Sequence, residues 1–157
     1  MTKGITWKSY AEGLPYAGST GNNSCTYAKR HNPFAYFSDV ANSTQKYNIV
    51  PFSRFSGDIA DHQLADFSFV VPDLCNDGHD CPLSTVDTWL KAKIAPLIAS
   101  PESQQSGLLV ITFDESLTTD KAHGGGHIAK VIVSPKAKRG VQVGERVSTL
   151  EHSGTGD

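Results

Sequence analysis

Apolar residues are spread unevenly along this chain. Over the first 50 residues Gly, Asn, Ser and Tyr predominate and no period is sustained, so the segment reads as loops with one short helical turn over Trp7–Leu14. A brief helix is expected over Ser56–Leu64, with Phe55 and Ile59 on one face. The pattern sharpens at Phe67-Ser68-Phe69-Val70-Val71, a β-branched and aromatic run stopped by Pro72, which predicts a buried strand. Ser84, with Asp87 three residues on, resembles an N-cap with an approximate capping box. Val86, Trp89, Leu90, Ile94, Leu97 and Ile98 then form an apolar stripe at helical spacing, which Pro96 should kink or end. After a turn over Ser100–Gly107, Leu108–Phe113 is a near-continuous apolar strand of the kind buried on both faces of a parallel sheet, and Ile128–Val133 gives another strand after a glycine run.

Strand, helix, strand is a βαβ unit, with a right-handed crossover and parallel strands. In open α/β sheets ligands bind beyond the carboxyl ends of the strands. Those ends are the segment Pro72-Asp73-Leu74-Cys75-Asn76-Asp77-Gly78-His79-Asp80 and the pair Asp114-Glu115, both rich in acids.

Composition narrows the picture. A length of 157 residues with 38% hydrophobic and 19% charged residues suits one globular domain. The net charge of -2, without a Lys/Arg stripe, argues against nucleic acid as a partner. No apolar run approaches a membrane span, and the N-terminus lacks a signal-peptide layout. Cys75 and Cys81 bracket a polar loop at a spacing that suits a small disulfide ring, and that also suits free thiols or a share in a metal site. Cys25 is left over.

Four groups carry candidate chemistry. Asp114 and Glu115 leave the most hydrophobic strand together, where desolvation and mutual repulsion are costly unless a cation or donors compensate. Asn76, Asp77, His79 and Asp80 offer carboxylates and an imidazole for metal ligation, phosphate contact or proton transfer. His123-Gly124-Gly125-Gly126-His127 sets imidazoles around three glycines that permit close backbone approach and positive φ, with His127 the better ligand candidate. Arg30-His31-Asn32-Pro33, ahead of Phe34, Tyr36 and Phe37, places a cation and an imidazole side by side. Each group alone also has a plain reading as a turn, cap or solvated loop. Their joint placement near strand ends points to metal-assisted hydrolysis. His62 and His152 have no such context and read as surface residues.

The segments Trp7–Glu12, Arg30–Phe34, Pro72–Pro82, Thr112–Glu115 and Gly124–His127, in this order, resemble the phosphoesterases of acid phosphatase and phospholipase C type within the alkaline phosphatase superfamily. The resemblance runs from about Trp7 to Lys138. It implies an α/β, alkaline phosphatase-like sandwich with a mostly parallel sheet, incomplete at the N-terminus, so that 1–157 is the C-terminal part of a catalytic domain. It further implies that Asp114 and Glu115 bind a divalent metal ion of unspecified identity, with His127 near that site. His79 and His31 would contact the transferred phosphate beside Arg30, with Asp80 close by. The family's Glu-Asn metal pair and its Ser or Thr nucleophile belong to a region before this chain, and no residue here inherits the nucleophile role. Cys25 resembles a family cysteine, yet Gln45-Lys46-Tyr47 holds no partner for it.

The expected activity is therefore acid phosphatase-like hydrolysis of small phosphate esters. A phospholipase C-like phosphodiesterase acting on phospholipid is one alternative. A catalytically inactive fragment that keeps part of a metal or phosphate site is the other. Full-length relatives are expected to be secreted or periplasmic.

Overall fold

Trp7–Ala11 is a strand, β1, rather than the helical turn expected of it, and pairing explains the difference. It lies in the middle of a three-stranded parallel sheet. Residues Ser9, Tyr10 and Ala11 stand opposite Ile49, Val50 and Pro51 of β2 (Ile49–Pro51). On the other side Trp7–Ala11 runs in register with Phe67–Val71 of β3. Ladder hydrogen bonds on both edges and full burial of Ser9, Tyr10 and Ala11 override a polar-looking local sequence. The computed structural model describes residues 4–21, 26–116, 119–120, 126–138 and 140–141. Cys25, His123, Gly124, Gly125 and His152 lie outside the described residues.

The chain forms two compact units, Met1–Ser100 and Pro101–Asp157. In the first, the alternation of β1 sorts its side chains onto two faces. Trp7, Ser9 and Ala11 look toward the segment of short helical turns that includes α1 (Ser38–Ala41). Here Trp7 stacks on Phe34 at 4.6 Å between ring centroids, and buried Ser9 Oγ donates to Asn32 Oδ1 at 3.1 Å. Ala11, Leu14, Tyr27, Ala35, Val40, Ile49 and Val71 close this side of the core. The opposite face carries Lys8 and Tyr10 against α2 (Phe55–Ala60), the brief helix expected there. Aromatic contacts run from Tyr10 to Phe55, Phe52 and Trp89, with centroids 5.1 to 5.3 Å apart, and so bring α3 (Leu83–Lys93) onto the sheet. A parallel sheet with helical segments on both faces is the expected α/β class.

The apolar stripe of α3 is real, with Val86 and Trp89 buried, but its N-cap is Pro82 and not Ser84. Pro82 arrives extended at φ -61° and ψ 153°, and the helix begins at the next residue. Its last turn carries Lys91 and Lys93, which suits the helix dipole, and Asp87 pairs with Lys91 at 2.7 Å. The helix ends at Ile94, and Pro96 falls in the first turn of α4 (Ala95–Ala99), where its missing N–H costs nothing.

In the second unit the expected turn after Ser100 is a helix, α5 (Pro101–Ser106). It opens with a proline and an acidic residue, both suited to a helix N-terminus. The strand expected over Leu108–Phe113 is β4 (Leu109–Thr112), and that over Ile128–Val133 is β5 (Lys130–Val133). They pair antiparallel, Leu109 opposite Val133 and Thr112 opposite Lys130. β4 thus sits in an antiparallel pair where a parallel sheet was expected, while β3 pairs in parallel with β1. A continuous apolar run signals a strand without naming its neighbour.

Lys8, Tyr10 and Asp58 form the polar link between sheet and helix. Lys8 Nζ lies 2.5 Å and the Tyr10 hydroxyl 2.7 Å from Asp58 Oδ2. Burial, reinforced by the neighbouring Asp58 carboxylate, pushes the Tyr10 phenol well above its usual range. Burial alone would raise the Asp58 carboxyl. Hydrogen bonds from Lys8 and Tyr10 and the positive charges of Lys8 and Arg54 instead hold it below its ordinary value of 3.8. The native state thus binds the Asp58 proton less readily than the unfolded chain. The stabilisation is present above pH 3.8 and is lost as the pH falls through the native value. Urea unfolding should show Asp58→Ala less stable than wild type by about 1–3 kcal/mol at neutral pH, the cost of stranding donors of this kind. The gap should narrow as the pH drops below 3.8; a gap that widened would contradict the assignment.

Candidate functional site

The parallel strands β1 and β3 end side by side, and the polar residues of the first unit gather there. Glu12, the first residue past β1, organises the junction. Its Oε2 accepts from the Asp73 backbone N–H at 3.0 Å and from Asn76 Nδ2 at 2.9 Å, and its Oε1 accepts from Trp89 Nε1 at 2.8 Å. One carboxylate therefore joins β1, the segment after β3 and helix α3. Asp73 Oδ1 then takes the N–H groups of Cys75 and Asn76, an Asx turn that starts the loop. Cys75 and Cys81 are disulfide-bonded with Cα atoms 4.7 Å apart, which settles among the alternatives the sequence left open and closes the loop into a ring.

Within that ring Asp77, Gly78 and His79 make a tight bend. Gly78 has φ 89°, a conformation that favours glycine, and the bend lets the His79 N–H donate to Asp77 Oδ1 at 2.8 Å. The second oxygen, Asp77 Oδ2, lies 3.0 Å from His31 Nδ1. His79 Nδ1 is 2.7 Å from Asp80 Oδ1, and its Nε2 is 3.2 Å from Arg30 Nη2. The two imidazole rings lie 5.9 Å apart between centroids. The His31 and Asp77 side chains are sunk, at 23% and 18% exposed, whereas His79 and Asp80 are about half exposed, at 49% and 57%. Arg30, His31, His79 and Asp80, four of the residues singled out in the sequence, are thus brought together by a 3-10 turn, Lys29–His31, and the disulfide loop.

Hydrogen-bond chemistry fixes how the rings are protonated here. A guanidinium only donates and a carboxylate only accepts. His79 therefore presents a lone pair at Nε2 to Arg30 and an N–H at Nδ1 to Asp80. His31 likewise carries its proton at Nδ1, facing Asp77, which leaves Nε2 as its other polar atom. A guanidinium beside two imidazoles suits an oxyanion with several acceptor oxygens.

The remaining candidates belong to the second unit. Asp114 follows β4 and is exposed, as is Glu115, and the Glu115 N–H donates to Asp114 Oδ1 at 3.0 Å. The His127 N–H donates to Asp120 Oδ2 at 2.9 Å, and the His127 side chain is exposed. Gly126 takes a positive φ of 81°, and a Cβ there would meet Ser116. His62 is exposed, as expected. Among the described residues no group of three or more His, Cys, Asp or Glu side chains is arranged to hold a metal ion. Carboxylate oxygens such as those of Asp114 and Glu115 are of the hard type that suits a divalent cation.

Sequence reasoning gave Glu12 no role beyond its place in a family-like segment, and grouped Asp77 with its neighbours without separating its contacts from theirs. Glu12 would have stood out had Trp7–Ala11 been read as a strand, because an acid just past a buried parallel strand lies at the ligand-binding end of the sheet.

The phosphoesterase family model matches residues 1–153. The chain belongs to the phosphoesterase family. Among its relatives, a probable acid phosphatase of Kluyveromyces lactis is 36% identical over 125 residues, covering 74% of this chain and 30% of the relative. An acid phosphatase of Aspergillus fumigatus is 34% identical over 130 residues, covering 78% of this chain and 29% of the relative. A phosphatidylinositol-3-phosphatase of Mycobacterium tuberculosis is 35% identical over 115 residues, covering 73% of this chain and 37% of the relative. This phosphoesterase chain thus spans about 30% of the length of the acid phosphatases it matches.

Removing the Glu12 carboxylate tests this junction. Glu12→Ala should lose roughly 3 kcal/mol in denaturant unfolding, the scale of losing charge-assisted hydrogen bonds at a partly buried site. Amide exchange should quicken at Asp73 and its neighbours; unchanged exchange there would show that Glu12 does not hold the loop.

Proposed function

We propose that this chain supplies the phosphate-recognising part of a metal-dependent phosphate monoester hydrolase of acid phosphatase type. The observation that carries the reading is the convergence of Arg30, His31 and His79 at the carboxyl end of β1 and β3. An incoming phosphate competes with His79 Nε2 for the Arg30 guanidinium and offers several acceptor oxygens to it. Histidine can both donate to phosphate oxygens and transfer a proton, and in this reading His31 or His79 protonates the leaving alcohol. Asp80, on His79 Nδ1, keeps that ring oriented.

Asp114 and Glu115 are the proposed ligands that this chain gives to a divalent metal ion, with further donors from beyond the described residues. Such an ion, when bound, neutralises developing charge on a phosphoryl group. The attacking nucleophile is assigned to no residue of this chain. The phosphatase names of the relatives favour monoesters over the diesters of a phospholipase C. The phosphatidylinositol-3-phosphatase adds a lipid headgroup monoester to the substrate classes worth assaying. The Cys75–Cys81 disulfide supports export to an oxidising compartment.

Inorganic phosphate titrated into the 157-residue chain should shift the ring resonances of His31 and His79, and Arg30→Ala should weaken binding about tenfold, the loss of one charge-assisted contact. The chain by itself should not turn over a chromogenic phosphomonoester, with or without divalent metal. Phosphate binding that leaves both rings unmoved would overturn the site, and turnover by the chain alone would overturn the assignment of the nucleophile elsewhere.

A further inference from the structure

Asp77 touches both histidine-bearing segments, and neither the hydrolase reading nor the acid pair at Asp114 and Glu115 uses it. Its Oδ1 accepts the His79 backbone N–H at 2.8 Å, and its Oδ2 lies 3.0 Å from His31 Nδ1. Its own N–H donates to the Asp73 carbonyl at 2.9 Å, and the Cys75–Cys81 ring encloses it, so the carboxylate is held from both sides of the chain. Only 18% of its side chain is exposed, so the carboxylate is largely sunk.

We infer that Asp77 is a positioning residue of the phosphate site, which fixes the tautomer and the facing of His31 while anchoring the backbone of His79. The claim rests on the reading that these two histidines meet phosphate. The reasoning is one of acceptor capacity. An ionised carboxylate takes a donor at each oxygen, so it accepts from the His79 N–H and from His31 Nδ1–H at once. His31 Nε2 is then the nitrogen left to meet a ligand, whatever the charge of the ring. The spacing of the rings, 5.9 Å between centroids, is set by the same group, since it grips one ring directly and the other through its main chain.

An amide in this place cannot do the same. Asparagine has one carbonyl oxygen, and if that oxygen keeps the His79 N–H, the NH₂ faces His31 Nδ1. The NH₂ only donates, so Nδ1 must become the acceptor and the His31 proton moves to Nε2. Asp77→Asn therefore swaps a tautomer while changing almost no volume. Asp77→Glu keeps two acceptor oxygens and should keep the wild-type tautomer with a displaced ring.

The test is two-bond ¹H–¹⁵N correlation of histidine-labelled chain at alkaline pH for wild type, Asp77→Asn and Asp77→Glu, each followed by titration with inorganic phosphate. Wild type should show the Nδ1–H form of His31, Asp77→Asn the Nε2–H form, and Asp77→Glu the Nδ1–H form. Phosphate should bind Asp77→Asn about tenfold more weakly than wild type. A His31 that is Nε2–H in wild type overturns the inference, and this arm needs no variant to fold. A tautomer unmoved in a folded Asp77→Asn also overturns it. If the tautomers behave as expected but phosphate moves neither ring in wild type, the phosphate reading fails, and with it the service of Asp77 to that site.

Discussion

A parallel strand hydrogen-bonded along both edges fixes the level at which its neighbours end, and the polar architecture of the first unit depends on β1 in this way. Its register with β3 sets Ala11 beside Val71, so Glu12 leaves the sheet next to the segment that becomes the disulfide loop. The carboxylate then has three donors within reach, from the loop backbone, from Asn76 and from Trp89 of α3. A slip of one residue would turn every β1 side chain to the opposite face. Lys8 would lose Asp58 and Ser9 would lose Asn32, so register is held by polar pairs on both faces as well as by the apolar core.

From that junction outward, each layer restricts the next. Glu12 seats Asp73, Asp73 turns the chain at Cys75 and Asn76, and the disulfide and the bend at Gly78 return it so that Asp77 meets His31. The outcome is a graded arrangement, with Asp77 and His31 largely sunk and Arg30, His79 and Asp80 at the surface. The sunk pair provides orientation. The outer group provides exchangeable hydrogen bonds, which suits contact with an anion that must arrive and leave.

Much of this was legible in the sequence, for identifiable reasons. The β3 run, the stripe of α3, the β4 run and the break at Pro96 are local signals, strong enough to survive tertiary context. The gathering of Arg30, His31, His79 and Asp80 came from family resemblance and from the rule that ligands collect at the carboxyl ends of strands. β1 and β2 escaped notice because Lys8 and Ser9 look solvated until their partners are known, and those partners, Asp58 and Asn32, lie 50 and 23 residues away. The direction of pairing at β4 was misjudged because its apolar residues carry no information about strand direction. The cap of α3 was misplaced because the disulfide loop delivers Pro82 already extended, and no capping side chain is needed.

The contacts that define the histidine site close long stretches of chain. His31 reaches Asp77 across 46 residues, Arg30 reaches His79 across 49, and Glu12 reaches Asp73 and Trp89 across 61 and 77. Loops of that length form late and at an entropic cost that the whole unit must offset. The site is accordingly a property of the assembled topology, and no short peptide cut from this chain retains it. Formation of the histidine site and cooperative folding of the first unit should therefore rise and fall as one transition, so that a signal from His31 doubles as a gauge of the folded population.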